Sequence, residues 1–277
     1  MYLAIDFGAS NTDAVARHTD GTLQRWTIPS AGNVTEARIL AVLQAGKIAA
    51  ESLHALAVTG GDRSQLGETF QGITIHSVPE VEAIGRGGLA MAELEQAAIV
   101  SAGSGTAVIA AGPAGFGHIS GTGVGGGTLL GLARMLVGSA DAPVIDALAR
   151  AGNHTVVNLT IGEIIGEAIG SLPPDTTAVN FGRLARQPLS PNRADLAAGI
   201  VNLVGQVIAV VAINAARSRN LERIVVVGHL ADLASIRTTI LQVGSFYGAP
   251  IDIPADGGYA TAMGALMLLE QAANETA

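Results

Sequence analysis

The sequence predicts an α/β chain built from two related halves that share a ligand cleft. Three observations carry this. A strand, a tip of small residues and a return strand occur twice. The first unit is YLAIDF, GASNTD and AVAR from Tyr2; the second is AIVSA, GSGT and AVIAA from Ala98. Each half continues with short apolar runs of strand length and segments of helical period. A glycine-dense stretch, HISGTGVGGGTLLGL from His118 to Leu132, follows the second unit.

Composition bounds the function. The chain has 277 residues, 49% hydrophobic and 14% charged, enough to bury a substantial core. Its formal net charge is -8 with no basic run, which argues against a nucleic-acid partner. Lys47 is the one lysine, so any other cation at a site is an arginine or a histidine. With no cysteine there is no disulfide framework and no thiolate metal site. The first residues lack a basic n-region and carry Asp6, so a cytoplasmic protein is expected. The most apolar helix, Leu196 to Ala216, is interrupted by Asn202, Gln206 and Asn214. It reads as a buried core helix rather than a membrane span, with an apolar surface wide enough to serve as an interface.

In chain order, Tyr2 to Phe7 is a strand with Asp6 near its end, and Gly8 to Asp13 is the tip of a hairpin. Such a tip can wrap a phosphate with N–H and hydroxyl groups, or be an ordinary turn. Thr35 to Ala50 has helical period. Ala55 to Thr59 is a strand ending in the turn Gly60-Gly61-Asp62, at the kind of position where α/β sheets gather ligands. Ile73 to Val78 is another strand. Glu80 and Glu82 then stand at the start of a helix through Met91 and Leu94, as a general base or as first-turn acids favoured by the helix dipole. Ala98 to Ala102 and the return strand flank Gly103 to Thr106.

In the glycine stretch, five glycines fall between Gly121 and Gly127, and an apolar helical run follows. A glycine loop opening onto a helix N-terminus offers free N–H groups to an anion. It matches neither the P-loop nor the dinucleotide fingerprint. Further on, Asp146 to Gly152 finishes a helix, Val156 to Leu159 is β-like, and Ser190-Pro191-Asn192 caps the long core helix. Ile224 to Val227 is a strand ending in Gly228-His229, with a helix from about Ala231 to Leu241. Ile251 to Ile253 is a short strand, and Gly257-Gly258-Tyr259 opens a last helix, Ala260 to Gln271.

With these pieces placed, nearly the whole chain resembles the type II pantothenate kinases. The resemblance lies in IDFGASNT at the start, TGGD at 59–62, PEVEAIGRGGL at 79–89, GSGT at 103–106 and SGTGVGGGTLLGL at 120–132. It continues in NFG at 180–182, VVVG at 225–228 and GGYATAMGALMLL at 257–269. It implies a two-lobed, ribonuclease-H-like fold of the actin/hexokinase/Hsp70 kind with a nucleotide cleft between lobes, here 1–97 and 98–277. It also implies phosphoryl transfer from ATP and Mg2+ to a primary alcohol, pantothenate or a relative, as in the first step of coenzyme A biosynthesis, by a cytoplasmic homodimer. Glu80 matches the catalytic glutamate. Gly8, Ala9, Ser10, Asn11 and Thr12 match the first phosphate loop, and Ser104, Gly126, Gly127 and Thr128 the triphosphate site. Gly228 and His229 fall at the adenosine site, and Asp6 at the acid that acts on Mg2+ through water.

Two positions depart from the family. Asp13 stands where the family has a lysine that neutralises phosphate, which reverses the local charge. His118 stands where the family has an arginine facing substrate, and lacks its fixed fork. Arg86 and Arg63 are candidate replacements, with His118, Arg86 and Glu80 forming the expected acceptor site. The leading expectation is a small-molecule kinase. A nucleotide-binding homologue without transfer activity, acting as a switch or partner, is the other reading that the lost cations raise.

Overall fold

A computed structural model describes residues 1–61 and 66–275 of the protein. Two sheets form its frame. The first takes the order β3-β2-β1-β4-β6-β5. Strands β1 (Tyr2–Phe7), β2 (Asn11–Arg17) and β3 (Leu23–Pro29) make an antiparallel meander. After helix α1 (Glu36–Gly46), β4 (Ala55–Gly60) pairs parallel with β1. The two-residue β5 (Thr69–Phe70) and then β6 (Ile73–Ser77) complete the edge, β6 lying parallel to β4. Helix α2 (Glu80–Ala92) leads to the second sheet.

That sheet repeats the plan. Strands β7 (Ala97–Ala102), β8 (Thr106–Gly112) and β9 (Gly115–Thr122) form a second antiparallel meander. Helices α3 (Gly126–Leu136) and α4 (Ala142–Ala151) follow. A small excursion then holds β10 (Leu159–Thr160), α5 (Ile161–Ile165), β11 (Thr177–Val179) and α6 (Gly182–Arg186). The chain returns through α7 (Arg193–Ser218), β12 (Ile224–Val227), α8 (Ala234–Phe246), β13 (Ile251–Asp252) and α9 (Ala260–Glu275). The sheet order is β13-β12-β7-β8-β9, with β12 parallel to β7 and β13 parallel to β12. Each sheet is thus a meander whose first strand is extended on its free side by two parallel strands, with the short antiparallel β5 added at the edge of the first sheet. The repetition visible in the two small-residue tips extends to the whole sheet.

Helix α7 is long and apolar enough to cross a membrane by length and composition, yet it forms the centre of the larger core. Ile200, Val204, Ile208 and Ala212 are fully buried against β7, β8 and β12. Two of its three polar interruptions have partners: Asn202 Oδ1 accepts from Asn158 Nδ2 at 3.1 Å, and Gln206 Oε1 from Asn180 Nδ2 at 2.9 Å, while Asn214 is exposed. A buried amide is tolerated because it is bonded. Asn192 caps the helix by accepting from the Asp195 N–H at 2.9 Å, the cap its sequence predicts. Along the same helix Leu203, Val207, Val210 and Val211 are only half-buried.

Around the first sheet, Leu3, Ile5, Leu56 and Val58 pack with Ile39 and Val42 of α1. The opposite face buries Ala4, Val15 and Ala57 under Ala262, Ala265, Leu266 and Leu269 of α9. The last helix of the chain therefore covers the first sheet. It crosses α2 at backbone contact, where a Cβ on Gly87 would strike the Ala260 carbonyl and one on Gly264 the Ala83 carbonyl. An Arg17–Glu270 ion pair joins β2 to the same helix.

Three local expectations differ from the structure. The first hairpin tip is shorter than GASNTD: Asn11, Thr12 and Asp13 belong to β2, with Thr12 opposite Phe7 and Asp13 opposite Asp6. Likewise His118 to Thr122 lies in β9, and the glycine loop proper is residues 123–125. In both places polar and glycine residues read as turn, but an adjacent strand edge supplies ladder bonds that override the local preference. Strand β3 was not expected. It ends in Pro29 and lies at the sheet edge, where proline costs no ladder bond; Trp26 Nε1 pins it by donating to Val42 O at 2.9 Å.

The helix crossing sets a stability prediction. Gly264→Val is expected to lower unfolding free energy by about 3 kcal/mol or more, read from the urea midpoint. Gly131→Ala in α3, with nothing within 4 Å of the added Cβ, should leave stability unchanged or slightly raised.

Candidate active site

A cleft of about 500 Å3 opens between the two sheets. The strand order explains its place, because both small-residue tips and the ends of β4 and β12 point to one side. The tips meet: Ser10 Oγ and Ser104 Oγ lie 2.6 Å apart. Glycines and hydroxyls line this end, including Gly8, Gly103, Ser101, Thr106 and Thr122. The other end is walled by Leu129, Leu130, Leu230 and Leu233. One end thus suits an anion that accepts many hydrogen bonds, and the other a flat apolar group.

Most residues singled out in the sequence gather there. Asp6, Gly8, Ala9, Ser10, Asn11, Glu80, Ser104, Gly126, Gly228 and His229 all line the cleft. Thr12 faces a neighbouring cavity instead. Gly127 and Thr128 lie behind the wall. The Gly126 and Gly127 N–H groups donate to the carbonyls of Gly103 and Ser104 at 2.8 and 2.9 Å. The Thr128 hydroxyl donates to Gly123 O at 3.1 Å. The head of α3 is therefore docked on the second tip, and two N–H groups expected to be open to an anion are already bonded. Their glycines are needed for that docking: a Cβ on either would stand 3.1 Å from a tip carbonyl.

Of the residues expected at the acceptor site, Arg86 and His118 lie outside the cleft lining. Arg86 pairs with Glu82 at 3.0 Å and lies 5.2 Å from the Phe116 ring centroid, lining a separate surface cavity. Helical spacing explains this, since residues 82 and 86 share a face of α2 that turns away from Glu80. His118 is exposed on β9, opposite Ile109, outside the cleft lining. Arg63 lies outside the described residues.

Asp13 is not a bare anion beside a phosphate site. It is 5% exposed. Its Oδ1 accepts from Thr27 Oγ1 at 2.5 Å and faces His229 Nε2 at 2.8 Å. His229 Nδ1 in turn lies 3.3 Å from Asp232 Oδ2, and the ring stands edge-on to Tyr259 at 5.7 Å. Hydrogen bonds to Asp13 first, then Asp232, raise the His229 pKa to about 10 despite partial burial. At neutral pH the imidazolium is a cation lining the cleft, contributed by the second sheet and held by an acid of the first. Neither Asp13 nor His229 alone signalled this; the pair is separated by 216 residues in sequence.

Asp6 fits a water-mediated Mg2+ role by its chemistry. It is a carboxylate at the phosphate-like end, beside Gly60, where any Cβ would run into its Oδ1. Mg2+ takes few protein carboxylates and keeps waters and phosphate oxygens. Among the described residues no group of three or more His, Cys, Asp or Glu could hold a metal ion.

The fold is that of the actin/hexokinase-like ATPases. It is similar to the activator of 2-hydroxyisocaproyl-CoA dehydratase from Clostridium difficile with bound ADPNP (TM-score 0.71, 17% identity, 99% of this chain and 96% of that one). It is also similar to a ROK family glucokinase from Streptomyces griseus in complex with glucose and AMPPNP (TM-score 0.59, 14% identity, 98% and 99%). The family model Fumble matches residues 97–268, and the chain belongs to that family, the type II pantothenate kinases. Its relatives include a type II pantothenate kinase of Bacillus anthracis, 30% identical over 53% of this chain and 54% of the relative. Another is from Oceanobacillus iheyensis, 26% identical over 76% of this chain and 80% of the relative. The match thus spans about half the length of the first of these and four fifths of the second.

The Asp13–His229 pair predicts a pH dependence of stability. Between the ordinary histidine value near 6.5 and about 10, the folded protein holds a proton that the unfolded chain has lost. The pair's contribution is full below about pH 6.5 and fades as pH rises through 10. Melting temperature should fall from pH 7 to 10 in the wild type. His229→Asn should melt lower at pH 7 and show a flatter decline; parallel curves would remove the pair as its cause.

Proposed function

We propose that the protein is an ATP-dependent kinase that phosphorylates the primary hydroxyl of a small molecule, pantothenate or a related compound. Family membership and the cleft's two-ended chemistry support it, and the placement of Glu80 carries it. Glu80 is the first residue of α2 and borders both the main cleft and a second cavity of about 440 Å3 behind the first tip. A carboxylate at such a junction can reach an acceptor hydroxyl entering from one side and a phosphoryl group presented from the other.

The residues divide the work. The Ser10 and Ser104 hydroxyls, now bonded to each other, can turn to donate to phosphate oxygens. Gly8 to Asn11 bring backbone close to the same point. The leucines of α3 and of the segment after β12 receive the base. Asp6 would hold Mg2+ through water, and the ion when bound would neutralise phosphate charge. The His229 imidazolium offsets the Asp13 carboxylate, so the acid that stands at the family's lysine position is not a bare anion in the cleft. Glu80 orients the acceptor and takes its proton as the oxygen attacks phosphorus, with the displaced ADP carrying away the leaving charge. A homodimer in the cytoplasm belongs to the same reading.

A second reading, a nucleotide-binding switch without transfer, is favoured by one observation: the Gly126 and Gly127 N–H groups are bonded to tip carbonyls. One assay separates the two. ADP release with Mg-ATP is measured on pantothenate, pantetheine and pantoate. The kinase reading expects turnover on at least one, and a fall of about 100-fold or more in Glu80→Gln with ATP affinity kept. ATP binding without turnover on any of the three would favour the switch.

A further inference from the structure

We infer that the cavity behind the first tip is an acceptor pocket that recognises a carboxylate, and that Arg38 is the residue that reads it. The inference rests on the kinase reading above and deepens it. The cavity of about 440 Å3 lies on the far side of the tip from the main cleft, and the two share Gly8, Ala9 and Glu80. Its volume suits a small organic molecule. Its polar lining includes Thr12, Ser30, Asn33 and Arg38.

Arg86 has Glu82 and Arg17 has Glu270. Arg38 has no carboxylate within 4 Å among the described residues. Its Nη2 alone makes its bonds, to Thr12 Oγ1 at 3.1 Å and Pro29 O at 2.9 Å. Those bonds fix the guanidinium, since Thr12 is fully enclosed and Ser30 Oγ links Thr12 to the Gly8 carbonyl. No bond from Nε or Nη1 to a described residue competes for a ligand. A half-buried guanidinium with an uncompensated charge and idle donors, held rigidly by a neutral scaffold, is built for a bidentate anion. Among the described residues the cavity's other charged lining group is Glu80.

The cavity therefore takes a molecule with two ends, a carboxylate toward Arg38 and a primary hydroxyl toward Glu80. This supplies the fixed cation that neither His118 nor Arg86 brings to the site.

The test uses the full chain with Arg38→Gln, which keeps an N–H donor for Thr12 and Pro29 while removing the charge, and Arg38→Lys, which restores charge. Kinetics are measured on pantothenate, which has a carboxylate, and pantetheine, which has none. Calorimetric titration of both with a non-hydrolysable ATP analogue runs in parallel. Arg38→Gln is expected to lower the ratio of kcat/KM for pantothenate over pantetheine about 10-fold or more, with Arg38→Lys recovering part. An equal loss on both acceptors, an unchanged ratio, or a change confined to the KM for ATP overturns the inference and leaves the kinase intact. Absent turnover, pantothenate binding that is lost in Arg38→Gln sustains the pocket while the kinase reading falls. Absent turnover and absent binding overturn both.

Discussion

The crossing of α2 and α9 is the constraint on which the site depends. The two helices meet backbone to backbone because Gly87 and Gly264 leave no side chain between them. α9 is the last element of the chain, yet it closes the inner face of the first sheet through Ala262, Ala265 and Leu266. α2 bridges toward the second sheet, where Ile84 packs with Ile99 and Val225. Together they fix the position and direction of α2 relative to both sheets. Glu80, its first residue, is thereby held at the border of both cavities. A shift of one helix past the other would move the carboxylate out of reach of either cavity, so fold stability and catalytic geometry share the same contact.

Electrostatics within the cleft follow a different logic from that read along the chain. Taken alone, Asp13 in place of a lysine reverses a charge beside a phosphate site. In the fold the acid lies in the buried middle of β2 and meets His229 from the second sheet at 2.8 Å. Burying an isolated carboxylate costs several kcal/mol, and a bonded imidazolium offsets that cost. The Asp13 charge is answered by His229 from the facing sheet, and the pair ties the two walls of the cleft together. A salt link between two sheets also resists their separation, which bears on how far such a cleft can open to admit or release a nucleotide.

The legible part of this protein was its repetition and its glycine. The paired tips at Gly8 and Gly103 announced two like sheets, and the family motifs brought ten of the expected site residues to one cleft. Three kinds of information were not local. Ladder pairing turned Asn11 to Asp13 and His118 to Thr122 into strand despite their turn-like composition. Hydrogen bonding within the site consumed the Gly126 and Gly127 N–H groups, which sequence can only count as donors. Side-chain direction put Arg86 on the wrong face of α2 and Arg38, in an unremarkable helical segment, in the lining of a cavity that Glu80 also borders. Spacing along a chain constrains which residues share a helix face, but the identity of the cavity that face borders is set by elements far away in sequence.

The two cavities around the first tip give this arrangement its chemical sense. A transfer between two small molecules needs them on opposite sides of the reacting atom, in line, with one group able to manage the proton between them. A thin wall of Gly8 and Ala9 separates the cavities, and Glu80 stands at its edge. The wall can be thin because small residues form it, and it can be rigid because Ser30 and Thr12 brace it from behind. Arg38 completes that brace and keeps donors to spare. Bracing and recognition then fall to one side chain, so the acceptor's charge is read by the same group that holds the phosphate tip in shape.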